Sequence, residues 1–321
     1  MSKVKILVFS GVALILVLSL VAVACAPKAA PTGAPTVTTV TKTVTTTATV
    51  TAAPTTKPVK VYRWEPATWI SSGIPFEAIQ EFARVMNEAS NGRVVVTPSA
   101  VGAVCPVEEQ MEAVSAGTTG VMMVTPSYYT GKIPAAVFYN SSLGMRSAAD
   151  QEAAYEVFEE GRAQELYFSI IEKNYNVESI ATRYGPLDLF ICARVPIRTA
   201  ADLKGVKFRC GDEHAAVPLA MMGASTTWFP GSEIYTSLAA GVVDAFTYGG
   251  FYDHYSIGAH EVCKYWHKNA KFMAVANEQW VVNRDIWNEM SDDLKALFYA
   301  ATRDANDITI LGFGGSSESW S

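Results

Sequence analysis

The segment IRTAADLKGVKFRC runs from Ile197 to Cys210. Gly205 to Phe208 reads as a short strand, and Arg209 stands at its carboxyl end. Strands also read at Val177–Thr182, Leu189–Val195 and Val242–Thr247, with helices at His214–Met222 and Glu233–Ala240, the latter stopped by Gly241. Nearer the N-terminus, Lys60–Trp64, Arg93–Thr97 and Gly120–Thr125 read as strands. Between them Phe76–Ser90 carries Phe76, Ile79, Phe82, Ala83 and Met86 at helical spacing and is stopped by Asn91-Gly92. Val107–Ala116, a long stretch at Ala149–Asn174, and Trp287–Ala305 complete the helices. Strands alternating with helices predict α/β architecture with largely parallel sheets. Ligands in such sheets sit outside the carboxyl ends of strands, so the strand-end loops are the segments to search.

The N-terminus predicts export. Lys3 and Lys5 precede an apolar run from Ile6 to Ala24, which ends in small residues and Cys25. The run approaches the roughly 20 residues of a bilayer span, so an uncleaved anchor competes with a cleaved signal. Either reading places the rest of the chain outside the cytoplasm. Ala26 to Lys57 is Ala, Pro and Thr almost throughout, with nothing large to bury, and reads as a disordered tether. The folded part, from about Val59, is long enough for two lobes. A net charge of −6 argues against nucleic acid or an anionic membrane as partner. Cys105, Cys192, Cys210 and Cys263 form no CxxC, and both a disulfide and free thiols are open.

Motifs for catalysis are missing. The chain has no GxSxG, HExxH, GxxxxGK[ST], or GxGxxG after a strand. His254, His260 and His267 are six and seven residues apart, which fits no common zinc spacing. A binding protein is expected rather than an enzyme.

IRTAADLKGVKFRC resembles the signature of solute-binding proteins of TRAP transporters, the DctP type, in which such a segment ends in the ligand-binding arginine. GSEIYTSLAAGVVDAFTYGGFYDH (Gly231–His254) resembles a second segment of that family. SYYTGKIPAA (Ser127–Ala136) resembles a lobe-one loop of its branch that binds 2-oxo acids, and EVCKYW (Glu261–Trp266) follows at the expected place. The resemblance spans about Tyr62 to Ala305. It implies a two-lobed, periplasmic-binding-protein-like α/β fold with a ligand cleft between the lobes. Arg209 then offers a rigid fork to a carboxylate. Trp69, Tyr128 and Tyr129 are expected to wall the cleft, and Glu233 to start a helix. In the 2-oxo acid branch a metal ion also bridges the ligand, held by a Gln and a Glu-Trp pair. Here those positions fall on Asp188, Thr247 and Tyr248. A sodium or calcium ion on these residues and a metal-free polar site are both open. Micromolar capture needs about −8 kcal/mol, more than one paired carboxylate supplies, so closure and aromatic walls must contribute.

The resemblance implies capture of a small organic carboxylate, a 2-oxo or 2-hydroxy acid, for delivery to TRAP-type permease subunits. The end of the apolar run is similar to a lipobox, with Cys25 as the lipidated residue and Ala22 where Leu is favoured. The expected organisation is a signal over 1–24, a tether over 25–58, lobe I over 59–182 and 274–313, and lobe II over 183–273. The tail, 314–321, departs from the family, whose members continue with further helical sequence; truncation and replacement are both open. A ligand-presenting sensory protein of the same fold is the alternative, and a hydrolase the third.

Overall fold

The first helix follows from its spacing. Helix α1 (Ile74–Ala89) turns Ile74, Ala78, Ile79, Phe82, Ala83 and Met86 inward, with Pro75 in its first turn where no N–H is needed. Gly73 before it has φ 79°, a conformation that favours glycine. The helix links strands β1 (Tyr62–Trp64) and β2 (Val94–Val96), which pair in parallel. Phe82 packs 4.7 Å from Trp280 and 4.9 Å from Phe298, ring centre to ring centre. Burying one such side chain stabilises by about 1.5–3 kcal/mol.

The computed structural model describes residues 60–140, 161–186, 191–211, 213–267 and 275–316. The expected signal, Cys25, the tether, residues 149–160 of the long helical stretch, Asp188 and the end of the tail lie outside the described residues.

Helix α2 (Gln110–Ser115) follows a 3-10 turn at Val107–Glu109. Strand β3 (Val121–Val124) is buried throughout, and helices α3 (Ala135–Asn140) and α4 (Ala163–Asn174) cover it. Strand β4 (Val177–Pro186) runs further than its apolar pattern predicts.

Across the third sheet the strand order is β7-β6-β8-β5-β9. Its strands are β5 (Ile191–Ala193), β6 (Lys207–Arg209), β7 (Ser225–Thr227), β8 (Ala245–Phe246) and β9 (Tyr265–His267). Alternate residues face opposite sides. Ile191, Ala193, Phe208 and Ala245 enter one apolar cluster, Cys192 and Phe246 another. Helices α5 (Glu213–Met221), α6 (Ile234–Ala239), α7 (Phe251–Ser256) and α8 (Ala259–Val262) belong to this half. Glu233 is exposed and stands at the start of α6, as expected.

Strand β10 (Val275–Asn283) was not foreseen. It lies between β3 and β4 and is antiparallel to both. Strand β5 is likewise antiparallel to β8 and β9, so the expectation of largely parallel sheets is corrected to mixed ones. The cause is topological: the chain leaves the first half along β4 and returns along β10, and the two strands must run in opposite directions. The predicted helix Trp287–Ala305 is two helices, α9 (Arg284–Glu289) and α10 (Asp292–Ser316). Asn283 caps α9, its Oδ1 accepting from the Asp285 and Ile286 amides at 3.1 and 3.2 Å. Cys105, Cys192, Cys210 and Cys263 are free thiols.

Candidate functional site

Parallel pairing of β6 with β8 sets Arg209 beside Phe246 and next to Thr247. Arg209 is 1% exposed. Its Nη1 donates to the Thr247 carbonyl at 2.7 Å; Nε and Nη2 both donate to the Phe229 carbonyl, at 3.0 and 2.8 Å. The rings of Phe229 and Tyr248 lie 5.8 and 5.3 Å from its guanidinium carbon. No carboxylate among the described residues pairs with it. A guanidinium held out of water by neutral carbonyls and rings has a large unmet attraction for an anion. A Cβ at Gly211 would lie 3.4 Å from Nη1, in ordinary contact with it.

The other half of the molecule reaches this guanidinium through Tyr128, in the 3-10 turn Pro126–Tyr129 that follows β3. Burial raises the Tyr128 pKa, and the charge and hydrogen bonding of Arg209 oppose that rise. The ring of Tyr128 meets Trp228 edge-on at 5.8 Å.

Trp69 stands edge-on to Tyr248 at 4.6 Å, and the Tyr248 hydroxyl donates to the Trp69 carbonyl at 3.1 Å. Tyr248 fits only because residue 231 is glycine: a Cβ there would fall 2.0 Å from its hydroxyl oxygen. Burial pushes the Tyr248 hydroxyl well above its ordinary pKa, so it stays a neutral phenol. The Trp69 indole N–H donates to Glu278 Oε1 at 2.6 Å, and Glu278 also forms a buried ion pair with Arg183. Burial lowers the Arg183 pKa to about 10, which leaves it charged at neutral pH.

The structure therefore brings Arg209, Tyr128, Trp69, Thr247 and Tyr248 together. Tyr129 is a correction. It is fully buried in the core of the first half, its hydroxyl accepting from the Met111 amide at 3.1 Å and donating to the Val107 carbonyl at 3.3 Å. Two tyrosines adjacent in a tight turn cannot face the same way, and Tyr128 takes the cleft side. Phe229, Trp228, Glu278 and Arg183 were missed. Glu278 carried a signal: Asn277-Glu278-Gln279 is a polar run between apolar residues, and all three are buried.

The donors expected for a cation do not form a cage among the described residues. The Thr247 carbonyl is taken by the Arg209 guanidinium, and its Oγ1 accepts from the Gly211 amide at 3.4 Å. The Tyr248 hydroxyl donates its proton to the Trp69 carbonyl. No group of three or more His, Cys, Asp or Glu among the described residues could hold a metal ion. Asp188 lies outside them. The described part of the site thus offers a cation a neighbouring positive charge and one carboxylate, Glu278, already engaged by Arg183 and Trp69, a poor match for a hard ion.

Comparison with known proteins places this geometry in context. The model of the DctP family, "bacterial extracellular solute-binding protein, family 7", matches residues 68–310. A monocarboxylate 2-oxoacid-binding periplasmic protein of Nostoc sp. is 28% identical over 251 residues, covering 78% of this chain and 67% of the relative. Among solved structures, a TRAP periplasmic solute-binding protein from Pseudoalteromonas atlantica with bound sodium and pyruvate superposes with TM-score 0.68 at 24% identity, covering 79% of this chain and 77% of that one. A TRAP solute-binding protein from Bordetella bronchiseptica, with calcium and picolinate at its site, gives 0.66 at 24% identity over 81% and 76%. One from Sulfurospirillum deleyianum with bound succinate gives 0.69 at 19% identity over 81% and 82%. These structural likenesses establish the two-lobed fold.

Proposed function

Because the chain belongs to the bacterial extracellular solute-binding proteins of family 7, we propose that it captures a small organic carboxylate, a 2-oxo or 2-hydroxy acid, between its lobes and hands it to a TRAP-type permease. The observation that carries this reading is Arg209, a buried guanidinium with no acid partner among the described residues, facing aromatic rings from both halves. The free face of the fork takes the two carboxylate oxygens by parallel charge-assisted bonds. Tyr128, Trp69 and Tyr248 exclude water from the ligand and strengthen that pairing. By the family motif, Asp188, Thr247 and Tyr248 are assigned to the other end of the ligand. The bound pyruvate and succinate of the structural neighbours, and the 2-oxo acid specificity named for the Nostoc relative, support the ligand class.

Capture rests on Arg209, and the hydrogen bonds already made by Thr247 and Tyr248 favour a site that works without sodium or calcium. Cys25 is the proposed lipid attachment, with 26–58 as the tether that lets the lobes work clear of the membrane.

Calorimetric titration of the purified folded part with pyruvate, lactate and longer 2-oxo acids tests the reading. At least one acid is expected to bind, and Arg209→Ala to weaken it by about a hundredfold, since truncating one partner of a buried charge pair costs about 2–5 kcal/mol. Absence of heat with every acid, or full affinity without the guanidinium, overturns it.

A further inference from the structure

The motif Gly231–His254 contains an acidic residue that ligand capture does not use. Asp253 lies in α7, in the same half as Arg209, and is 3% exposed. Its two carboxylate oxygens serve two helices. Oδ2 accepts from the Gly250 amide at 2.9 Å, at the start of its own helix. Oδ1 accepts from the Ile74 amide at 3.3 Å, the first residue of α1 in the opposite half. Helix α1 has no side-chain cap of its own; its N-cap is Gly73.

The seat for this carboxylate is built on both sides. A Cβ at Gly73 would fall 2.4 Å from Asp253 Oδ1, and one at Gly249 would fall 2.3 Å from Oδ2. Two glycines from different halves thus leave space for the same acid. The Arg183 guanidinium on β4 draws the carboxyl pKa down, against the larger upward push of burial. Further contacts bridge the same seam: Ser72 Oγ donates to Ser256 Oγ at 3.0 Å, and the Tyr252 hydroxyl donates to Glu77 Oε1 at 3.0 Å. The two segments joined here, Trp69–Ile74 and Tyr248–Asp253, each carry one member of the Trp69–Tyr248 pair beside Arg209.

We propose that Asp253 is a positioning residue for ligand capture: its carboxylate caps helix α1 of the opposite lobe and thereby holds the Trp69 wall against Tyr248 in the closed form. The proposal rests on the carboxylate reading only for its effect on affinity; the cap itself is independent of what is bound. An amide N–H at a helix start that loses its acceptor returns to solvent, and the closed form loses that bond and its share of helix-dipole stabilisation.

The test compares wild type with Asp253→Ala and Asp253→Asn, all as full folded chains. Hydrogen exchange, with and without pyruvate, reads the cap directly. Asp253→Ala is expected to speed exchange of the Ile74–Phe76 peptide while a core peptide over Phe82–Met86 stays protected. Asp253→Asn, which keeps one oxygen acceptor, is expected to fall between. Scattering is expected to give Asp253→Ala the larger radius of gyration. If pyruvate or another 2-oxo acid binds, Asp253→Ala weakens it about tenfold. Unchanged exchange at Ile74–Phe76 overturns the cap. Faster exchange with unchanged affinity for an acid that needs Arg209 overturns the positioning role and leaves the carboxylate reading intact. A failure of every acid to bind rejects the carboxylate reading, and the exchange and scattering arms still decide the cap. Loss of protection throughout Asp253→Ala, core included, with Asp253→Asn behaving as wild type, rejects the proposal in favour of a fold-wide role.

Discussion

At the scale of single residues, the site depends on shape as much as charge. Arg209 uses three of its nitrogens on carbonyls while remaining under two aromatic faces. A lysine would keep the charge and lose the fork, so Arg209→Lys is expected to lose most of the affinity in a calorimetric titration, approaching the alanine variant. His254 makes a second, pH-dependent prediction. It is fully buried against Phe246 and Trp266, with its Nδ1 3.0 Å from the Cys192 sulfur. Burial, helped by the Arg209 charge, lowers its pKa to about 3. An unfolded histidine takes a proton near pH 6.5, so the stability from a neutral His254 is complete above that pH and is lost as pH falls towards 3. The neighbouring Asp253 has the opposite sign: burial raises it to about 6, so the folded chain takes up a proton before the unfolded one does. Melting temperatures at pH 7, 6, 5 and 4 for wild type and His254→Phe separate the two, and the variant is expected to lose less on acidification. Residue-level legibility was uneven. The place of Arg209 at a strand end was legible from the residues, whereas its assignment to a ligand rests on the motif that carries it. Tyr128 and Tyr129 were inseparable, since which of two adjacent rings faces a cleft depends on the turn that carries them.

At the scale of elements, apolar spacing revealed what packs against a core and hid what crosses between cores. Helix α1 was legible because Ile79, Phe82, Ala83 and Met86, read from the sequence at helical spacing, fall on its buried face. Phe82 sits at the meeting point of Trp280 and Phe298. Phe82→Ala leaves a cavity that those two rings cannot collapse into, and is expected to cost about 3–5 kcal/mol in urea unfolding. Strand β10 escaped because its middle reads Asn277-Glu278-Gln279, a run with no alternation. Each of these side chains is answered by another element. Glu278 meets Arg183 and Trp69, Gln279 donates to Ser179 Oγ at 2.9 Å, and Asn277 donates to the Tyr139 carbonyl. Polar residues paired across a fold carry no periodic signature along the chain, so their strand is invisible until its partners are known.

At the scale of the whole molecule, the two-lobed α/β class was legible from alternating elements and two motifs, whereas the mixed sheets were not. Strand direction depends on where a chain returns, and β4 and β10 decide that together. The site also makes a prediction at this scale. With Thr247 in place of a carboxylate and its carbonyl already bound by Arg209, ligand affinity in chelated, sodium-free buffer is expected within about threefold of that with sodium or calcium. A larger drop, read by calorimetry, would assign the ion a direct part in holding the ligand.

Burial of Arg209 to 1% exposure has a kinetic corollary. Tyr128 and Tyr248 would shield an acid seated on that guanidinium from bulk water, so its escape is expected to wait on the movement of those rings.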